Sequence, residues 1–206
     1  VLWRLTDFFC CAQPSSTELI IDGLEWAVQN ITRENRQGQS VISMNLSGQK
    51  SDALNLAVRN AYLNGILSVV PAGNEGIRAD LRSPASELTA ITVAASQENN
   101  ERALFSNWGS KVDLFAAGTN VLSTYIGSPD ATYSQSGTSM AAPHVAGLVL
   151  YLKAAESGLE GAAAVATRII ELTAKEILKN VPQETFNRLA FNGVEPQLGT
   201  GSSEHI

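Results

Sequence analysis

Ser139 lies in the run Gly137-Thr138-Ser139-Met140-Ala141-Ala142-Pro143-His144-Val145-Ala146-Gly147. A glycine there allows a tight turn, and the small and apolar residues after it suit a helix. A serine in that place sits in the helix's first turn, where unpaired N–H groups point outward and the helix dipole favours negative charge. A carbonyl attacked by a hydroxyl develops an oxyanion, so this is the environment an acyl-transfer nucleophile needs. Asn74, in Pro71-Ala72-Gly73-Asn74-Glu75-Gly76, carries a side-chain amide that can donate to an oxyanion held at the Ser139 N–H. Taken singly, each residue has a simpler reading. Serine is a common helix cap, and an asparagine flanked by glycines serves turns.

The elements that must position these residues follow from periodicity. Ser15, Ser16 and Thr17 can cap a helix whose apolar residues Leu19, Ile20, Leu24, Ala27 and Val28 run to about Ile31. Val41 to Leu46 reads as a short buried strand. Ser51-Asp52 opens a second helix that Gly65 ends, and Ile66 to Val70 is a second buried strand, broken sharply at Pro71. Ala90–Ala94, Val112–Phe115 and Val121–Tyr125 read as further strands. Helices are expected from near Ser139 to Ala155 and over Ala162–Leu172. Strands alternating with helices predict an α/β fold with a mainly parallel sheet. Such sheets bind ligands at the carboxyl ends of their strands, where both Asn74 and Ser139 fall.

Composition bounds the rest. The 206 residues include 44% apolar and 17% charged side chains, with a formal net charge of −6. That is a globular composition long enough for one compact domain. No dense Lys/Arg cluster appears, which argues against a nucleic-acid partner. Cys10 and Cys11 are adjacent, so their Cα atoms lie about 3.8 Å apart and too close for an ordinary disulfide. The longest apolar stretch, Met140 to Leu152, is short for a membrane span and contains Pro143 and His144. The chain is therefore expected to be soluble, with no membrane partner.

The string Gly137-Thr138-Ser139-Met140-Ala141-Ala142-Pro143-His144 resembles the nucleophile segment of the subtilases. It departs from the Gly-x-Ser-x-Gly elbow of α/β-hydrolases, because Ala141 replaces the last glycine. Further blocks resemble the proteinase K-like branch in the same order: Ala72-Gly73-Asn74-Glu75, Ser83-Pro84-Ala85-Ser86, Phe105-Ser106-Asn107-Trp108-Gly109, Leu122-Ser123-Thr124, and Leu189 to Gly193, which is similar to the final strand of secreted fungal members.

The resemblance implies a three-layer α/β/α fold lacking its N-terminal part, with 17–195 as a partial catalytic domain. Residues 1–16 form a divergent segment and 196–206 a mobile tail. It implies a secreted, monomeric serine endopeptidase acting on proteins or peptides, with Ser139 as nucleophile, Asn74 as oxyanion donor and no cofactor required for the chemistry. Substrate would lie as an added strand between Asn45-Leu46-Ser47-Gly48 and Ala72-Gly73, with glycines allowing close backbone approach. Ser47 stands where the family usually has glycine. A structural calcium is also implied, held by the Asp113 carboxylate and the Leu88 and Ala90 carbonyls, oxygen ligands that suit Ca²⁺. The alternative is that Asp113 is a plain solvated charge at its strand's end.

A serine nucleophile needs a base to take its proton and a group to orient that base. The chain has two histidines. His144 lies five residues beyond Ser139 on the same helix and points away from it, and His205 lies in the tail. The family's Asp-Ser/Thr-Gly and His-Gly-Thr blocks do not occur. The family's spacing places both upstream of Val1. The chain alone is therefore expected to be inactive. The competing reading is a non-catalytic remnant that binds peptides or another protein through the same cleft.

Overall fold

The computed structural model describes residues 16–194. The tail expected over 196–206 and all but Ser16 of the segment expected over 1–16 lie outside the described residues, as do Cys10, Cys11 and His205.

Among the described residues four α-helices and ten strands form a three-layer α/β/α body. Helix α1 (Thr17–Arg33) starts where the Ser16 side chain accepts from Leu19 N, and α2 (Asp52–Leu63) where Ser51 accepts from Leu54 N. These caps satisfy N–H groups that a helix start leaves unpaired. Past the end of α2, Gly65 takes φ +81° and turns the chain into β3 (Leu67–Pro71). The central sheet has the order β1-β3-β5-β6-β10-β9, with β1 (Val41–Ser43), β5 (Ile91–Ser96), β6 (Leu114–Ala117), β9 (Ala174–Lys175) and β10 (Arg188–Leu189). All neighbours run parallel except β9, which is antiparallel to β10. Two small ladders stand outside it. β2 (Gly48–Gln49) pairs with β4 (Arg82–Ser83), and β7 (Val121–Thr124) pairs with β8 (Thr132–Gln135).

Alternation along the strands divides the core. Leu67 and Val69 of β3, Val93 and Ala95 of β5, and Leu114 and Ala116 of β6 pack against α3 (Thr138–Ala155) and α4 (Ala162–Leu172). Ile66 and Val70, on the opposite face, pack with Ile42, Met44 and residues of α1 and α2. Strands covered on both faces read as continuous apolar runs, as Leu67–Pro71 and Ile91–Ser96 do. Among the described residues no helix is long and apolar enough to cross a membrane.

Several boundaries differ from the sequence reading. The strand expected over 41–46 ends at Ser43, because only Met44 N continues its bonding, to Val69 O at 3.0 Å. Pro71 belongs to β3, so the break begins at Ala72. Pro71 is the last residue of β3, and its register partner Val93 lies midway along β5. The strand expected over 112–115 occupies Leu114–Ala117 instead. Asp113 N still reaches Thr92 O, at 3.0 Å, just before it.

Candidate functional site

β1, β3, β5 and β6 are parallel, so the segments leaving β1 and β3 emerge at one edge of the sheet. Asn45, Leu46 and Ser47 follow β1, and Gly48 opens β2. Ala72 and Gly73, both buried, follow β3, and Asn74 comes next, exposed. Helix α3 delivers Ser139 to this same edge. Ser139 is half-buried in the first turn, with Gly137 as an N-cap that has no side chain to cap the helix.

Hydrogen bonds join the two segments across more than sixty residues of sequence. Thr138 donates to Asn74 Oδ1 twice, from its backbone N at 2.8 Å and from its Oγ1 at 2.8 Å. Thr138 Oγ1 in turn accepts from Gly73 N at 3.1 Å. Both bonds to Asn74 end on oxygen, so the orientation of the carboxamide is determined. Its Nδ2 donates to no protein group among the described residues, and it lies beside Gly137, 3.4 Å from where a Cβ on that residue would stand. A free amide donor is thus held next to the residues that flank Ser139. An oxyanion formed there meets donors already in place, which is the condition for electrostatic stabilisation.

Two glycines allow this approach. Gly118 O accepts from Gly137 N at 2.8 Å, and a Cβ on Gly118 would run into Ala95 Cβ at 2.5 Å. Gly73 has φ +102°, and a Cβ there would collide with Asn107 Nδ2 and come within 2.8 Å of Glu75 Oε2. Gly73→Ala is accordingly expected to cost about 2 kcal/mol or more, through both strain and overpacking. Urea unfolding checks this, and an unchanged midpoint would contradict the crowding. Gly48 differs. A Cβ there meets nothing within 4 Å, so no close approach within the protein requires a glycine at that position.

Other side chains of the site have clear surroundings. His144 is exposed and its Nδ1 lies 2.8 Å from Met140 O, one turn back on α3. Among the described residues no base is placed against Ser139. Glu75 pairs with Arg82 at 3.0 Å, tying the loop after β3 to β4.

Leu88, Ala90 and Asp113 line one open depression of about 420 Å³, together with Thr89, Ile91 and Lys175. Desolvation pushes the Asp113 carboxyl up to about 6, against a bond from Thr92 N at 2.7 Å and the nearby charges of Arg188 and Lys111, which pull it down. A carboxylate destabilised by burial and open to a depression beside Leu88 and Ala90 suits a hard cation, so the residues present fit a calcium ion. Among the described residues no three His, Cys, Asp or Glu side chains gather as a metal cluster. Such a site would rest on one carboxylate and main-chain oxygens.

Two residues of the site were not singled out by sequence reasoning. Thr138 sits inside the Gly-Thr-Ser run and Asn107 inside Phe-Ser-Asn-Trp-Gly. Nothing local to either block indicates which distant loop it bonds.

Comparison with known proteins agrees with this geometry. The Emericella nidulans protein named Alkaline protease 1 is 53% identical over 183 residues, covering 89% of this chain and 45% of that protein. The Magnaporthiopsis poae protein named Subtilisin-like proteinase Mp1 is 47% identical over 193 residues, 93% of this chain and 48% of its own length. The chain therefore spans about half the length of these relatives. The crystal structure of a cold adapted subtilisin-like serine proteinase superposes with a TM-score of 0.81 at 32% identity, covering 91% of this chain and 65% of that one. The model of the subtilase family, Peptidase_S8, matches residues 6–201. With a parallel sheet whose carboxyl edge joins Asn74 to the Gly-Thr-Ser turn, and with relatives of that kind over nearly its whole length, this chain belongs to the subtilase family.

Proposed function

We propose that the chain carries the nucleophile and oxyanion half of a serine endopeptidase site. Ser139 attacks the peptide carbonyl and forms an acyl-enzyme, while the Ser139 N–H and Asn74 Nδ2 stabilise the tetrahedral oxyanion. The observation that carries this reading is the pair of hydrogen bonds from Thr138 to Asn74 Oδ1, which leaves Nδ2 beside Gly137 without a partner among the described residues. Substrate binds as an extended strand between Asn45–Gly48 and Ala72–Gly73, whose segments leave adjacent parallel strands. Proteins or peptides are the substrates, and the protein is secreted and monomeric. These properties rest on the resemblance to the fungal branch. Asp113, Leu88 and Ala90 hold a structural calcium that takes no part in the chemistry.

Acyl transfer also needs the triad Asp and His, which the described residues do not supply. The chain alone is accordingly inactive as a peptidase. That same observation favours a second reading, peptide binding without cleavage. Joining this chain to the N-terminal part of the Emericella nidulans relative separates the two. The joined protein is expected to take up a serine-directed fluorophosphonate, and Ser139→Ala to abolish labelling. A folded joined protein that binds peptides yet resists the reagent would establish the binding module instead.

A further inference from the structure

We propose that Asn107 is a positioning residue for the oxyanion donor: its carboxamide is the template around which the loop carrying Asn74 is wrapped. The inference rests on the role proposed above for Asn74 and extends it to a residue that touches no substrate.

Asn107 is completely buried. Its side chain has two N–H donors and an oxygen with two lone pairs, and the loop uses all of them. Nδ2 donates to Ala72 O at 2.9 Å and to Glu75 Oε2 at 2.8 Å. Oδ1 accepts from Glu75 N at 3.1 Å and from Ile77 N at 3.0 Å. Its own backbone N donates to Gly73 O at 3.0 Å. These partners bracket Asn74 on both sides in the chain, while among the described residues the Asn74 side chain bonds through its oxygen to Thr138. Asn107 thus determines where the main chain of the loop lies, and Thr138 determines which way the Asn74 amide faces. The space that Gly73 leaves by lacking a Cβ is the space this carboxamide fills.

Glu75 extends the arrangement. One of its carboxylate oxygens meets Asn107 and the other meets Arg82 Nη2 at 3.0 Å. Arg82 belongs to β4, whose register partner is Gln49 beside Gly48. The loop bearing the oxyanion donor and the opposite wall of the proposed cleft are therefore tied through one carboxylate. Only an amide serves at position 107, because an isosteric carboxylate cannot donate and would face both Glu75 Oε2 and Ala72 O with a negative charge.

The test uses this chain itself, with a peptidyl p-nitrophenyl ester whose leaving group needs no general acid. Removing triad members from an enzyme of this kind leaves a residual rate of about 10³–10⁴ over water, which comes from the oxyanion hole and binding. That residual rate reads the donor directly. Asn107→Asp is expected to lower kcat about 10²-fold, the effect of a displacement of about 1 Å, with KM changed less than about twofold. Glu75→Gln combined with Asn107→Asp returns a donor to the pair and is expected to recover most of the lost kcat, which a general loss of packing would not allow. Should Asn107→Asp fail to fold, Glu75→Gln alone decides the matter, with a several-fold drop in kcat expected. Unchanged kcat in the folded variants, with Asn74→Ala still damaging, overturns the role of Asn107 alone. Absence of any residual rate, or indifference to Asn74→Ala, overturns the oxyanion reading and the role of Asn107 with it.

Discussion

Asn74→Ala is expected to lower kcat toward a peptide substrate about 10²–10³-fold, with KM nearly unchanged, when this chain is joined to the N-terminal part of the Emericella nidulans relative. The magnitude is that of losing one oxyanion donor in a subtilisin, a relative of this chain, and the structure explains why it should apply. Asn74 Oδ1 is occupied by Thr138, whereas Nδ2, beside Gly137, is unengaged among the described residues. An unengaged donor does little for a planar ground-state carbonyl. Its bond forms as charge develops, so its loss falls on kcat rather than on binding. The same assay fixes what the chain lacks by itself. Without the joined segment the peptidase rate is expected to fall at least about 10³-fold, because no described residue is placed to take the Ser139 proton. Equal kcat for the Asn74→Ala and unsubstituted joined proteins would remove Asn74 from the mechanism.

What was legible in the sequence had local causes. Helices α1 and α2 follow from cap residues and apolar spacing, and α4, which has no side-chain cap, begins and ends where the pattern places it. The buried strands were visible as apolar runs because helices cover both faces of the sheet. The two-residue strands β2, β4, β9 and β10 carry no period and exist through pairing with distant segments. The stretch Val121–Tyr125 reads as extended, yet its partner β8 is polar and exposed, so periodicity does not announce the hairpin.

The candidate site divides in the same way. Ser139 and Asn74 are marked by the resemblance of their blocks to the subtilases, since taken singly a helix cap and a turn would explain them. Asn107 looks like any asparagine before an aromatic residue, because its importance comes from Ala72, Glu75 and Ile77, some thirty positions earlier. Asp113 stands just before β6, partly buried at the edge of an open depression, and its carboxylate accepts from Thr92 N, a partner that lies twenty-one positions earlier.

Asp113 also sets a pH dependence whose sign can be worked out. Its folded-state value of about 6 lies above the ordinary 3.8, so between those limits the native state binds the proton more tightly than the unfolded chain. Stability contributed by this group is therefore greatest below about pH 4 and falls as pH rises through about 6. At about 1.4 kcal/mol per pH unit, the gap amounts to about 3 kcal/mol lost at neutral pH in the metal-free chain. A bound calcium changes the balance, since it binds the ionised form and offsets the desolvation that raises the carboxyl. Millimolar calcium is expected to raise Tm by several degrees at pH 7.5 and hardly at all at pH 4.5. Asp113→Asn is expected to melt higher than the unsubstituted chain at pH 7.5 without metal, and to be indifferent to calcium at either pH. The difference between the two chains matters here, because it cancels every other titrating group. Differential scanning fluorimetry across this range reads both effects. A calcium shift of the same size in Asp113→Asn would place the ion elsewhere. A metal-free unsubstituted chain that melts above Asp113→Asn at pH 7.5 would show that the carboxylate is better compensated than Thr92, Arg188 and Lys111 make it.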